Sequence, residues 1–179
     1  MSKLKIYLAL LGAVIVTLLA VSLILPAQYR VERRVVISAK AKEIFPLVNT
    51  LKKWPIWTAW TKEKDPSMTI GFEGPEEGVG AIYRWTGDKM GVGMLTITRS
   101  DPARGMWYDL DFENGKYLSK GGITFEATGD STEVIWHNGG ELGRSPINRY
   151  FGLFMDRLTG PDFEEGLGNL KRIVEASRK

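Results

Sequence analysis

SPINRYFGLFMDRLTGPDFEEGLGNLKRIVEASRK, residues Ser145 to Lys179, reads as one long amphipathic helix bent in the middle. Ile147, Phe151, Phe154 and Leu158 are spaced four, three and four apart, and Phe163, Leu167, Leu170 and Val174 repeat that spacing. Each set lines one face of a 3.6-residue helix. Gly160-Pro161 lies between the sets, and the missing proline N–H predicts a kink there. Ser145-Pro146 supplies an N-cap with proline in the first turn. Lys171, Arg172, Arg178 and Lys179 suit the negative end of the helix dipole. Gly166 falls on the inner face, where glycine costs about 1 kcal/mol relative to alanine. Something approaches the backbone closely there: a strand, or a bound molecule.

A helix with one wet face needs a broad surface to lie on, and the chain before it supplies short strands. Tyr29 to Ser38 alternates, with Val31, Arg33, Val35 and Ile37 on one face. Ala41 to Val48 is a short helix. Leu51 to Trp60 carries Trp54, Trp57 and Trp60 three apart and is broken by Pro55. Strands are expected at Met68–Phe72, Ala81–Thr86, Gly91–Arg99, Gly105–Phe112, Tyr117–Ala127 and Thr132–Asn138. Turns fall at Gly74–Gly80, Gly87–Met90, Asp101-Pro102, Glu113-Asn114-Gly115 and Gly129-Asp130. One strand, two short helices, about six hairpin-linked strands and a long helix make an α+β domain. Its antiparallel sheet of about seven strands curls around the last helix.

The N-terminal segment differs in kind. Ile6 to Leu25 runs twenty residues without a charge, enough to span ~30 Å of hydrocarbon. Residues 1–28 therefore read as a basic tail and transmembrane anchor, and 29–179 as the folded domain. The apolar core is long for a cleaved signal peptide and the cleavage pattern is poor, so an uncleaved single span in the cell (inner) membrane is expected. Lys3 and Lys5 precede it; Arg30, Arg33, Arg34 and Lys40 follow. On Lys/Arg alone the domain would be cytoplasmic. Because Arg33 and Arg34 belong to a strand, and the start looks like that of a signal anchor, the reading goes to the exported, periplasmic face.

Several stretches resemble a known family. They are Val35-Val36-Ile37-Ser38-Ala39 with Glu43-Ile44-Phe45, Trp54-Pro55-x-Trp57, Gly78-x-Gly80-Ala81, and Thr132-Glu133-Val134-x-Trp136. The last is Gly160-x-Asp162-Phe163-Glu164-x-Gly166-Leu167-x-x-Leu170-Lys171. With the order of elements, they are similar to the START-like superfamily of helix-grip folds, in its bacterial polyketide cyclase/dehydrase and lipid-transport branch. The resemblance covers about Tyr29 to Arg178. It implies a deep cavity between sheet and long helix for an apolar or amphipathic molecule.

The chemistry that composition leaves open is narrow. Cysteine is absent and His137 is the one histidine, so thiol nucleophiles are excluded and zinc lacks ligands. No nucleophile elbow is present. Asp109 and Asp111 share a strand face about 7 Å apart, but opposite Tyr108, Leu110 and Phe112 they face water. Net charge is +3 without a basic run, which gives no case for nucleic acid. No cofactor and no catalytic residue are indicated. The expected ligand-binding residues are Trp57, Trp60, Tyr83, Trp85, Met94, Tyr108, Phe112, Trp136, Phe154, Leu158, Gly166 and Leu170, around a gap at Gly166. Thr96, Asn138 and Arg149 are the candidate polar groups. Two readings stand. In one, the domain binds or carries a hydrophobic small molecule (lipid, isoprenoid or polyketide-like) drawn from the bilayer. In the other, it is an accessory or scaffold subunit of an integral-membrane complex. A cyclase-type enzyme ranks third.

Overall fold

The computed structural model describes residues 3–178; Met1 and Ser2 of the basic tail, and Lys179, lie outside them. Helix α1 (Lys3–Ile24) leads into strand β1 (Gln28–Ile37), helix α2 (Ala41–Asn49) and a 3-10 helix (Leu51–Ile56). Six strands follow: β2 (Thr69–Glu73), β3 (Ile82–Gly87), β4 (Gly91–Asp101), β5 (Gly105–Phe112), β6 (Tyr117–Thr128) and β7 (Ser131–Glu141). Two helices close the chain, α3 (Pro146–Gly152) and α4 (Met155–Ala176). The sheet is antiparallel throughout, in the order β1-β7-β6-β5-β4-β3-β2. Only β1 leaves sequence order, pairing with β7 from Gln28↔Glu141 to Ile37↔Thr132. The expected α+β architecture is the one observed.

Alternation builds the inner face. Val31 and Ile37, Val134 and Trp136, Ile123, Met106 and Tyr108, Leu95 and Ile97, and Tyr83 and Trp85 point to one side and are buried. From α4 come Phe163, Leu167, Leu170 and Val174, all buried. Each such side chain contributes about 1.5–3 kcal/mol. The hairpin from Phe112 to Tyr117 turns through positive φ at Glu113, Asn114 and Gly115, as the Asn-Gly pair predicts.

The C-terminal helix differs from expectation in two ways. The break falls at Leu153 and Phe154, and α4 runs unbroken through Pro161. Gly160 has another use. The Arg33 guanidinium lies against it, where a Cβ would stand. From there it donates to both oxygens of Asp156, at 2.7 and 3.0 Å, and to Glu164. An arginine on the inner face of β1 is thus drawn across α4 to carboxylates at the rim. Second, Ile147, Phe151, Phe154 and Leu158 do not lie on the sheet; all are at least half exposed. Helix α3 leans on α1 instead. Tyr150 donates its hydroxyl to the Leu18 carbonyl at 2.7 Å, and Arg149 Nη1 donates to the carbonyls of Ser22, Leu23 and Leu25.

One loop is held by a buried carboxylate. Asp65 accepts hydrogen bonds from the backbone of Lys89 and Met90 and from the Ser67 hydroxyl and backbone. It fills the space a side chain at Gly87 would need. These donors favour the charged form and hold its pKa down to about 2. A depressed carboxylate lends stability that is complete above the ordinary aspartate range, near pH 4, and lost as pH falls through about 2. Thermal melting between pH 5 and pH 2 should therefore show a loss on the acid side that is smaller in Asp65→Asn. Parallel curves for the two proteins would rule the clamp out.

Candidate functional site

The inner face divides into a filled half and a half-covered one. Trp136 of β7 centres the filled half. Its ring stacks on Phe163 of α4, centroids 4.1 Å apart and planes 4° from parallel. Trp57, Trp60 and Trp54 meet it edge-on at 5.3, 5.6 and 5.9 Å. Its indole N–H donates to the Tyr108 hydroxyl at 3.0 Å. Trp54 and Trp57 come from the 3-10 helix and the residue after it; at three residues per turn they fall on one side. Their N–H groups donate to the carbonyls of Val48 and Leu47. Trp60 stacks on Trp85 at 5.8 Å, and Trp85 donates to the Met90 carbonyl. The tryptophan loop is fixed under α4 by Asn169, whose amide donates to the Trp57 carbonyl, and by Lys64, which pairs with Asp162 and Glu165.

This arrangement corrects the expected gap at Gly166. A Cβ there would stand 2.8 Å from Trp136 Cζ3 and 3.6 Å from Trp57 Cζ3. The glycine admits an indole, not a strand or an open space. Of the residues expected to line a pocket there, Trp57, Tyr83, Trp85, Tyr108, Trp136, Gly166 and Leu170 are brought together as packed core. Trp60 and Phe112 are partly covered at its margin. Phe154 and Leu158 lie out on the surface. Met94 and Thr96 stand on the other face of the sheet, because Leu95 and Ile97 take the inner positions of β4.

The half-covered part lies at the end where β1 begins. Register brings Tyr29 beside Gly140, and Gly140 beside Ser119. The missing side chains at Gly140 and Gly121 make room for Tyr29 and for the hydroxyl end of Tyr108. Asn138 Nδ2 donates to Ser119 Oγ at 3.2 Å and to the Tyr29 hydroxyl at 3.5 Å. Its Oδ1 is buried without a partner. Leu110, Phe112 and Tyr117 continue this face toward the β5–β6 turn with only partial cover. Burial holds the tyrosines protonated: the Tyr83 hydroxyl, which has no partner, is pushed up to about 12, and those of Tyr108 and Tyr29 are raised. Tyr29 and Ser119 were not among the expected polar groups. The alternation that put Val31 inside also puts Tyr29 there.

A broad open hollow of about 1270 Å³ borders this end of the sheet, reaching Tyr29, Tyr108, Leu110 and Ser119 as well as residues of the opposite face. Met94, Thr96, Trp107, Asp109, Lys120 and His137 are among the residues lining it. Burial, and then the nearby Arg30 cation, lower the His137 pKa. Asp109 pairs with Lys120. Arg149, a candidate for the interior, is instead spent on α1.

The comparisons agree with this fold. A family model described as polyketide cyclase / dehydrase and lipid transport matches residues 28–175. No curated protein matches the chain. Among solved structures, a Thalictrum norcoclaurine synthase point mutant, in complex with a transition-state analogue, is 16% identical with a TM-score of 0.61. The match covers 85% of this chain and 97% of that one. A Thermobifida fusca protein is 14% identical with a TM-score of 0.61, over 81% and 92%. Protein CV1439 of Chromobacterium violaceum is 16% identical with a TM-score of 0.52, over 84% and 99%. At these identities the likeness concerns the helix-grip fold alone.

Proposed function

We propose, because this chain belongs to the polyketide cyclase / dehydrase and lipid transport family, that it is a membrane-anchored domain binding or carrying a hydrophobic small molecule. Lipid, isoprenoid and polyketide-like molecules are the classes that fit. Helix α1 is the anchor, retained as a single span, with the domain on the exported face. The ligand enters between the sheet and α4 at the end next to α1, not at Gly166. Trp60, Phe112, Phe154 and Leu158 remain proposed ligand contacts at that margin, with Tyr108 beneath them.

The observation that carries this reading is Asn138. A buried amide oxygen without a partner costs about 1–3 kcal/mol. It lies beside the Tyr29 and Ser119 hydroxyls at the half-covered end. A ligand hydroxyl or amide would satisfy it while the ligand's apolar body lay on Leu110 and Phe112. Mass spectrometry of extracts from detergent-purified full-length protein should find one apolar species with a hydrogen-bond donor, enriched over the bulk membrane extract. Asn138→Leu should remove most of the enrichment. Extracts no different from bulk lipid would refute the reading.

The scaffold reading draws on a different observation: tryptophan rings fill the deep interior while the outer face is open. Stoichiometric recovery with an integral-membrane protein would favour it. Enzyme chemistry ranks below both, because His137 is on the outer face and the inner hydroxyls are held neutral.

A further inference from the structure

The geometry points to a second membrane contact besides α1: Ile147 to Leu158, comprising α3 and the start of α4, lies in the headgroup and upper acyl layer of the leaflet that α1 leaves. The inference rests on α1 being retained as a span.

Depth is the first argument. Leu18, which accepts the Tyr150 hydroxyl, is six residues before the end of α1. At 1.5 Å per residue that is about 9 Å along the helix. The 22 residues of α1 give a rod of about 33 Å, little longer than the ~30 Å hydrocarbon core. A helix held beside Leu18 therefore sits roughly 5–10 Å below the end of the span, the depth of interfacial helices.

Attachment is the second. The last carbonyls of a helix have no partner within it. Arg149 Nη1 reaches those of Ser22 and Leu23 at 3.0 and 3.1 Å, and that of Leu25, just past the helix, at 3.4 Å. Its charge also meets the negative end of the helix dipole. Swinging α3 away would orphan these carbonyls where little water can replace the arginine.

The third is the surface itself. Ile147, Phe151, Leu153, Phe154 and Leu158 are between 50% and 79% exposed. At the depth of Leu18, a side chain not covered by protein faces lipid. Arg144 and Arg157 are exposed at the ends of the segment, placed for lipid phosphates. Its one carboxylate, Asp156, is already held by Arg33. Lipid is the occupant because α3, where the patch begins, packs on α1, whose surface lipid covers.

The chain has no cysteine, so single sites can be labelled. Full-length Phe151→Cys, Phe154→Cys, Leu10→Cys and Val79→Cys would each carry an environment-sensitive fluorophore. They would be reconstituted in phosphatidylcholine vesicles containing phosphatidylglycerol. Doxyl lipids should quench the labels at 151, 154 and 10 about twofold, and leave the one at 79, at the far end of the sheet, untouched. If iodide in the water reached 151 and 154 while doxyl lipids reached only 10, this inference would fall and the anchor would stand. Iodide quenching at 10 as well would remove the anchor, and this inference with it. Protection of 151 and 154 from both quenchers would mean that protein covers the patch, which also overturns it.

Discussion

Trp136→Ala should lower the melting temperature of the detergent-solubilised full chain by roughly 10 °C or more. The indole is completely buried and touches three tryptophans and Phe163. Truncations of this kind cost about 3–5 kcal/mol. The Tyr108 hydroxyl would also lose the N–H that now donates to it, and an orphaned buried hydroxyl adds to the cost. Near-ultraviolet circular dichroism reads the melt and the loss of aromatic packing in one experiment. The gap left behind would be lined by rings and dry, so it should admit a small apolar probe that the parent protein excludes. An unchanged melt would mean that the stacked rings do not hold α4 to the sheet.

Gly166→Leu should destabilise the chain by about 1–3 kcal/mol or more, since overpacking a filled core forces strain. The new Cβ alone stands 2.8 Å from Trp136, and that ring is wedged between Phe163 and the Trp54–Trp57 loop. Helix propensity works the other way by roughly 1 kcal/mol, so a net loss isolates the clash. Gly168 supplies the control. It lies two residues on in the same helix with open space where its Cβ would be, and Gly168→Ala should raise stability by about 0.5–1 kcal/mol. Thermal melts of the two variants should move in opposite directions. A more stable Gly166→Leu protein would show that Trp136 can leave and that the gap is real.

The contrast between these glycines shows where sequence reading works and where it stops. Phe163, Leu167, Leu170 and Val174 announce a buried helical face through spacing, and the strands announce theirs through alternation. Spacing cannot name the covering surface. Ile147, Phe151, Phe154 and Leu158 have the same period, yet they lie out on the surface, the first two on the helix that leans on α1. Gly166 signals a close approach, but the approaching group comes from β7, thirty residues earlier, and only the sheet register brings it there. Gly160 reads locally as a helix breaker; its real neighbour is Arg33, from the first strand. Met94 and Leu95 are adjacent and apolar, so composition alone could not say which of them faced inward. The Asn138 cluster needs three strands in register before its unpaired oxygen exists at all.

The junction between α1 and β1 sets how far the domain can act. Ile24 and Gln28 bound a connection of three residues, Leu25 to Ala27, which spans at most ~10 Å. Ala27 is further tied down, its carbonyl accepting the Leu142 N–H. On the proposed reading of α1 as a retained membrane span, a carrier on so short a leash could not ferry cargo across an aqueous gap to an opposing membrane. Its search would then be two-dimensional, by lateral diffusion, and every donor or acceptor would have to share its bilayer or come to touch it. Lengthening the leash with a flexible insert would convert a fixed station into a swinging one, at the cost of the local concentration that makes weak binding sufficient.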